Sequence, residues 1–235
     1  MRTDGRPRPR GLIFDFDGTL VRSSIDFPAM REAILDVIDL YGLPDGVIDR
    51  KAPSSSNIID AWNHLSTILD DDGMLDFEAR IETASRKVEM LHVDETAEVP
   101  GTSITLSDLR SKGYRTGILT RGCRTYIEAA LLASKIPFAP ESIVCRDDHR
   151  LIDAKPNPIA LKRAAELIGL GVDECIYIGD HWMDHDCAVS ASMAFIGVLS
   201  GHNDRERWKG KEMVFMIEDM TDLPAILIAQ EGSER

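Results

Sequence analysis

Asp15 and Asp17 stand two residues apart in the stretch LIFDFDGTL, directly behind a short apolar run. On an extended chain their carboxylates share one face. Two like charges at the end of a buried strand are costly unless a cation or a reaction uses them. Three other segments carry groups that complement the pair. Thr120, Arg121 and Gly122 follow the apolar run TGIL, Lys155 precedes PNP, and Asp180 and Asp184 sit in GDHWMD behind IYI. A hard cation such as Mg²⁺ takes oxygen ligands and only a few carboxylates. Asp15, Asp180 and Asp184 meet that need. Thr120 and the backbone N–H groups of Arg121 and Gly122, at a helix start, suit an anion. Lys155 suits the same anion and holds the charge of Asp15 in place. A carboxylate aimed at a metal-bound phosphoryl group can act as nucleophile and form an aspartyl-phosphate. Asp17 is then placed to protonate the leaving oxygen and later to activate water.

These groups work together only if the chain sets their strands side by side. From residue 102 onward, helical and strand patterns alternate: SITLSDLRSKG, YRTGILT, a helix over 123–134, SIVC, PIALKRAAELIGL, CIYIGD, DCAVSASM, AFIGV and MVFMI, with a last helix near Thr221. Short strands separated by longer helices predict a parallel sheet with helices on both faces, a Rossmann-like α/β core. Ligands in such sheets bind beyond the carboxyl ends of the strands, where all these side chains stand.

Between Asp17 and VPG at 99–101 the period changes. Phe27, Met30, Ile34, Val37, Ile38 and Tyr41 fall at three- and four-residue steps. A second helical stretch covers SNIIDAWNHLSTIL, with Ser56 or Asn57 as its N-cap. Met74, Phe77, Ile81, Ala84, Val88 and Leu91 step along a third. The expected organisation is a flexible basic tail over 1–10, a core over 11–21 and 99–235, and an all-helical cap over 22–98 hanging above the aspartate pair.

DFDGTL, ILTRG, KPNP and GDHWMD resemble, in order and spacing, the four motifs of the haloacid dehalogenase-like superfamily. The helical insertion after the first motif resembles the subgroup that contains phosphoglycolate phosphatases. The resemblance spans roughly residues 11–200. It implies Mg²⁺ dependence and phosphate-ester hydrolysis through an aspartyl-phosphate. It makes Asp15 the nucleophile and a metal ligand, and Asp17 the general acid/base with its backbone carbonyl on the metal. Thr120 and Lys155 would bind the phosphoryl group, joined by the Arg121 and Gly122 backbone, and Asp180 and Asp184 would complete the metal site. Members often carry serine after GD, where this chain has His181 and then Trp182, so an altered pocket wall with intact chemistry is expected. A phosphomutase using the same two aspartates is the near alternative, and a non-catalytic binding module with the same fold is the distant one. Phosphonate hydrolysis would need a cap lysine, and Lys51 and Lys87 match no such context.

The remaining polar groups have plainer readings. His181 and His185 line a polar rim instead of binding a transition metal, since carboxylate sites favour Mg²⁺. Asp147, Asp148 and His149 form a solvated loop, DDDG at 70–73 an acidic turn between helices, and Trp62 and His64 a packing contact. Arg121 has two open roles, reaching a substrate carboxylate or lying over the surface. A net charge of -13 disfavours nucleic acid as partner, whereas a small phosphorylated metabolite is compatible once a metal supplies positive charge. No apolar run approaches the roughly 18 residues of a membrane span. Four separated cysteines, with no CxxC, fit a reducing cytoplasm.

Overall fold

The apolar run ahead of Asp15 forms β1 (Gly11–Phe14) in the interior of a parallel sheet. The structure, a computed structural model, describes residues 8–232 except 138, 202–204, 212 and 214, so residues 1–7 of the basic tail lie outside it. β4 (Arg115–Leu119) and β6 (Cys175–Gly179) flank β1, with Phe14 opposite both Ile118 and Ile178. β5 (Ser142–Val144), β7 (Ala194–Val198) and β8 (Phe215–Ile217) complete the order β5-β4-β1-β6-β7-β8. Every pairing is parallel, so all carboxyl ends open at one edge. There the three middle strands deliver Thr120, Asp15 and Asp180 side by side.

Successive side chains point to opposite faces. Leu12 and Phe14 therefore join a core under α4 (Thr102–Ser111), α5 (Arg124–Ser134) and α8 (Leu223–Gly232). Ile13 and Tyr177 join a second core under α6 (Pro158–Leu167) and α7 (Trp182–Ala191). This is the expected Rossmann-like sheet with helices on both faces.

Three helices, α1 (Phe27–Asp39), α2 (Ser54–Leu65) and α3 (Asp71–Glu89), stand between the two strands of a short antiparallel ribbon. That ribbon, β2 (Val21–Arg22) with β3 (Ala97–Glu98), pairs Val21 with Glu98 and carries the chain out and back. Ile34, Ile38, Ile58, Phe77 and Ile81 form a separate apolar core among the helices. Each fully buried side chain of this kind contributes about 1.5–3 kcal/mol relative to exposure.

Several local expectations need correction. α2 begins at Ser54 behind Pro53, whose fixed φ presets the first turn, so Ser56 and Asn57 lie inside the helix instead of capping it. DDDG is the start of α3, with Asp70 accepting from the Gly73 N–H at 2.9 Å and Asp71 and Asp72 in the first turn. Negative charge is favourable there. Phe27 obeys the helical period yet is 45% exposed, and Leu91 falls beyond the end of α3. MVFMI yields only the three residues of β8, its Val214 lying outside the described residues. A 3-10 turn, Met220–Asp222, precedes α8. α7 starts four residues ahead of the expected DCAVSASM helix, and that shift matters for the site.

Candidate active site

Asp15, Asp180 and Asp184 converge at the carboxyl edge of the sheet. One carboxylate oxygen from each lies within 4.8 Å of the others, and all three residues are buried. Lys155 Nζ donates to Asp15 Oδ1 and, at 2.8 Å, to Asp184 Oδ1. The early start of α7 places Asp184 in its first turn, where Asp184 Oδ2 accepts from the His181 N–H at 3.0 Å. In return the His181 ring accepts from the Met183 N–H at 3.3 Å, so His181 serves as the helix cap. The Tyr177 hydroxyl lies 2.9 Å from Asp184 Oδ1, and the Thr19 hydroxyl donates to Asp180 Oδ1 at 3.3 Å.

Backbone presses close to Asp180. Gly18 sits at φ +86°, and a Cβ there would stand 2.5 Å from Asp180 Oδ2; at Gly201 the distance would be 1.9 Å. Only glycine allows such an approach. Among the described residues, three buried carboxylates thus crowd one ammonium. Burial first, then the neighbouring Asp184 charge, pushes Asp15 well above the usual carboxylate range, against the pull of Lys155. Burial opposes the charge of Lys155, but Asp15 and Asp184 outweigh it and hold the ammonium above the ordinary lysine value. The Lys155 shift, and the smaller Asp184 share of the Asp15 shift, express a surplus of negative charge among the described residues. Buried oxygen donors with that surplus fit a hard divalent cation. Neither His181 nor His185 belongs to the cluster. His185 instead packs edge-on against Phe195 at 5.6 Å, with Nδ1 2.9 Å from Asp186 Oδ1.

Asp17 has different surroundings. Its Oδ1 accepts from the Tyr126 hydroxyl at 2.5 Å. Burial raises Asp17 to about 6, with the Tyr126 bond opposing. A carboxyl poised there can exist in either protonation state near neutrality.

The triad, Lys155, Asp17, Thr120, Arg121 and Gly122 all line one cavity of about 480 Å³, whose other walls include Met30, Ile58 and Ser85 from the helical block. A sequence profile of haloacid dehalogenase-like hydrolases matches residues 12–198. The chain belongs to that family. Among its relatives, a phosphoglycolate phosphatase from Xanthomonas campestris is 26% identical over 215 residues, covering 88% of this chain and 92% of its own. The pyrophosphatase PpaX from Bacillus cereus is 27% identical over 225 residues, covering 92% of this chain and 95% of its own. A family hydrolase from Deinococcus radiodurans, solved with bound phosphate and sodium, shares the fold with TM-score 0.62 at 18% identity, over 95% of this chain and 97% of its own.

The second motif of this hydrolase differs from the sequence expectation. Thr120 is buried, but its hydroxyl oxygen accepts from the Gly122 N–H at 2.9 Å, so that N–H is directed at the side chain and not into the cavity. The N-terminus of α5 already faces a carboxylate of the chain itself, because the Cys123 N–H reaches Glu89 Oε2 at 3.4 Å. The Arg124 N–H donates to Asp147 Oδ1 at 2.9 Å. Arg121 lies over no open surface. Its guanidinium is half-buried and donates to the Lys155 carbonyl. Burial and the neighbouring Arg146 lower it to about 10, with Glu89 opposing.

Arg146 and Glu89 escaped sequence reading altogether. Arg146 follows β5, is buried, and binds Glu89 through two nitrogens at 2.6 and 3.1 Å. It also donates to Glu82 at 2.8 Å and to the Arg121 carbonyl at 2.6 Å, tying α3 to the loop after β4. The one available signal was a basic residue closing the strand SIVC. Asp148, read as solvated, clamps this region by accepting from the Cys145 N–H at 2.8 Å and from Arg124 at 2.6 Å. His149 is half-buried and its Nδ1 meets the Arg150 carbonyl at 3.0 Å, so only exposed Asp147 fits the solvated reading. Trp62 donates to Glu78 at 2.9 Å between α2 and α3, the packing role expected of it. Lys87 is exposed, while Lys51, also exposed, stands at the mouth of the cavity. The cysteines are free and buried. No helix among the described residues is long and apolar enough to cross a membrane.

Proposed function

We propose that this hydrolase is a Mg²⁺-dependent phosphatase acting on a small phosphomonoester, with residues 22–98 as a cap over the site. The observation that carries the reading is the buried triad with its surplus of negative charge beside Lys155. Asp15, Asp180, Asp184 and the Asp17 carbonyl would hold the cation. Bound there, Mg²⁺ would neutralise phosphoryl oxygens and let an anionic ester approach an anionic nucleophile.

Within that frame each side chain has a task. Lys155 and the Thr120 hydroxyl bind the phosphoryl group, Thr120 being oriented by the bond it accepts from Gly122. Asp15 attacks phosphorus; the ester P–O bond breaks and the departing oxygen takes the Asp17 proton. Water then attacks phosphorus of the aspartyl-phosphate and gives its proton to Asp17. Inorganic phosphate leaves and both carboxyls return to their first state. Tyr126 holds Asp17 throughout. The enzymatic relatives and the buried triad beside Lys155 favour catalysis over a non-catalytic module. The relatives named phosphoglycolate phosphatase and pyrophosphatase support phosphoryl-ester or phosphoanhydride chemistry for this chain.

The test is phosphate release from a panel of phosphomonoesters and pyrophosphate, with Mg²⁺ and after full metal removal. Turnover that appears with Mg²⁺ and stops with EDTA is expected. Turnover that persists without any divalent metal would sink the metal role, and transfer of phosphate between positions of one substrate without release would indicate a mutase.

A further inference from the structure

Phe27 presents an anomaly. Its period assigns it to the apolar core of the helical block, yet it is 45% exposed and lines the active-site cavity. Ile25, Met30 and Ile58 line the same cavity from the block. Trp182 and Met183 line it from the first turn of α7. Both are half-buried, with side-chain surface left to meet a ligand. The cavity measures about 480 Å³. A phosphoryl group, a cation and its waters fill on the order of 150 Å³, on the scale of ~30 Å³ for each water. The remaining space is in the range that takes an organic body of drug-like size. A glycolate or a second phosphate would leave most of it empty. The cations Lys51 and Arg207 at the mouth are exposed, where water and salt weaken their hold on an anion.

We infer that the leaving group of the substrate is a bulky apolar body, aromatic or branched aliphatic, held between Phe27 of α1 and Trp182 of α7. This rests on the phosphatase reading and names its substrate class. Apolar contact made on binding and kept in the transition state raises kcat/KM with the area covered. Trp182 adds a flat face that suits stacking on a ring.

The experiment compares ethyl phosphate with 2-(2-naphthyl)ethyl phosphate on the Mg²⁺-loaded protein, with phosphoglycolate and pyrophosphate alongside. Both esters release a primary alcohol, so they differ in apolar size more than in reactivity. The naphthylethyl ester is expected to have a kcat/KM about a hundredfold above ethyl phosphate. Phe27→Ala should reduce that ratio to about tenfold or less, and Trp182→Ala likewise. Phe27 is exposed enough for its replacement to spare the fold, which circular dichroism checks. A ratio near one, or faster turnover of phosphoglycolate or pyrophosphate than of the naphthylethyl ester, overturns the inference and leaves the phosphatase reading standing. A ratio unchanged in both variants also overturns it. Failure of every phosphate compound to turn over with Mg²⁺ defeats the phosphatase reading itself, and the inference falls with it.

Discussion

Two clusters of buried charge border the same cavity and are built on opposite principles. At the sheet edge, three carboxylates face one ammonium, Lys155. Some 57 residues apart in the chain, Arg146 and Glu89 meet as a two-pronged pair, with Glu82 and Arg121 beside them, so two guanidinium groups answer two carboxylates. Buried charges are tolerated when paired and hydrogen-bonded. The second cluster balances its charges by itself, with Glu82 Oε1 its one carboxylate oxygen left without a hydrogen-bond partner among the described residues, and joins the helical block to the core. The first, among the described residues, sets three buried carboxylates around the single ammonium of Lys155, an arrangement that could hold a metal ion. The balanced cluster ties two parts of the fold together, whereas the acidic one offers oxygen donors that could take a cation.

The most severe way to break the comparison is Asp15→Asn. Turnover should fall by about 10⁴-fold or more, since the proposed nucleophile is gone. The unfolding midpoint of the metal-free protein should stay level or rise, because one of three crowded carboxylates loses its charge. Near-wild-type phosphate release would remove Asp15 from the nucleophile's role.

Arg146→Met should behave in the reverse sense. Urea unfolding should show a loss of about 3–5 kcal/mol, because Glu89 stays buried without its partner. Mg²⁺ affinity measured by titration calorimetry should hardly change. A loss under about 1 kcal/mol would mean that the bridge carries little of the docking of the block.

A third measurement adds the missing charge to the first cluster. Mg²⁺ at a hundred times its Kd should stabilise the wild type by about 2.7 kcal/mol. Asp180→Asn should lose most of that gain, and an equal gain in both would place the cation elsewhere.

The smallest effect concerns Asp17. Its folded-state value of about 6 lies above the 3.8 of an ordinary aspartate. Stability from this group is therefore fully present below about pH 4 and is lost as pH rises through 6. In metal-free protein the loss should be about 2 kcal/mol, a figure set by roughly 1.4 kcal/mol for each unit and lowered for partial exposure. Subtracting the profile of Asp17→Asn isolates it, and identical slopes in the two proteins would show that Asp17 is not perturbed.

Much of the site was legible because its residues stand at the ends of short apolar runs. Asp15, Thr120 and Asp180 each follow such a run, and parallel pairing of β4, β1 and β6 then brings them together. Asp184 was legible as a carboxylate, but its setting depended on the cap that His181 provides, which a hydrophobic period does not register. Tyr126 reaches Asp17 across 109 residues and Arg146 reaches Glu89 across 57, separations over which no local pattern speaks.

The chain alone determined which charged groups exist, which strand end bears each, and that helices of three- and four-residue period interrupt an α/β series. These are local properties, set by side-chain chemistry and by the repeat of helix and strand. Tertiary structure decided which donors remain available. It directs the Gly122 N–H to Thr120 and brings Glu89 to the start of α5, where an external anion was expected. It also turned Phe27 out of the helical core and into the cavity wall. A helix has one apolar face but several neighbours, and only the packing of whole elements settles which neighbour each residue meets.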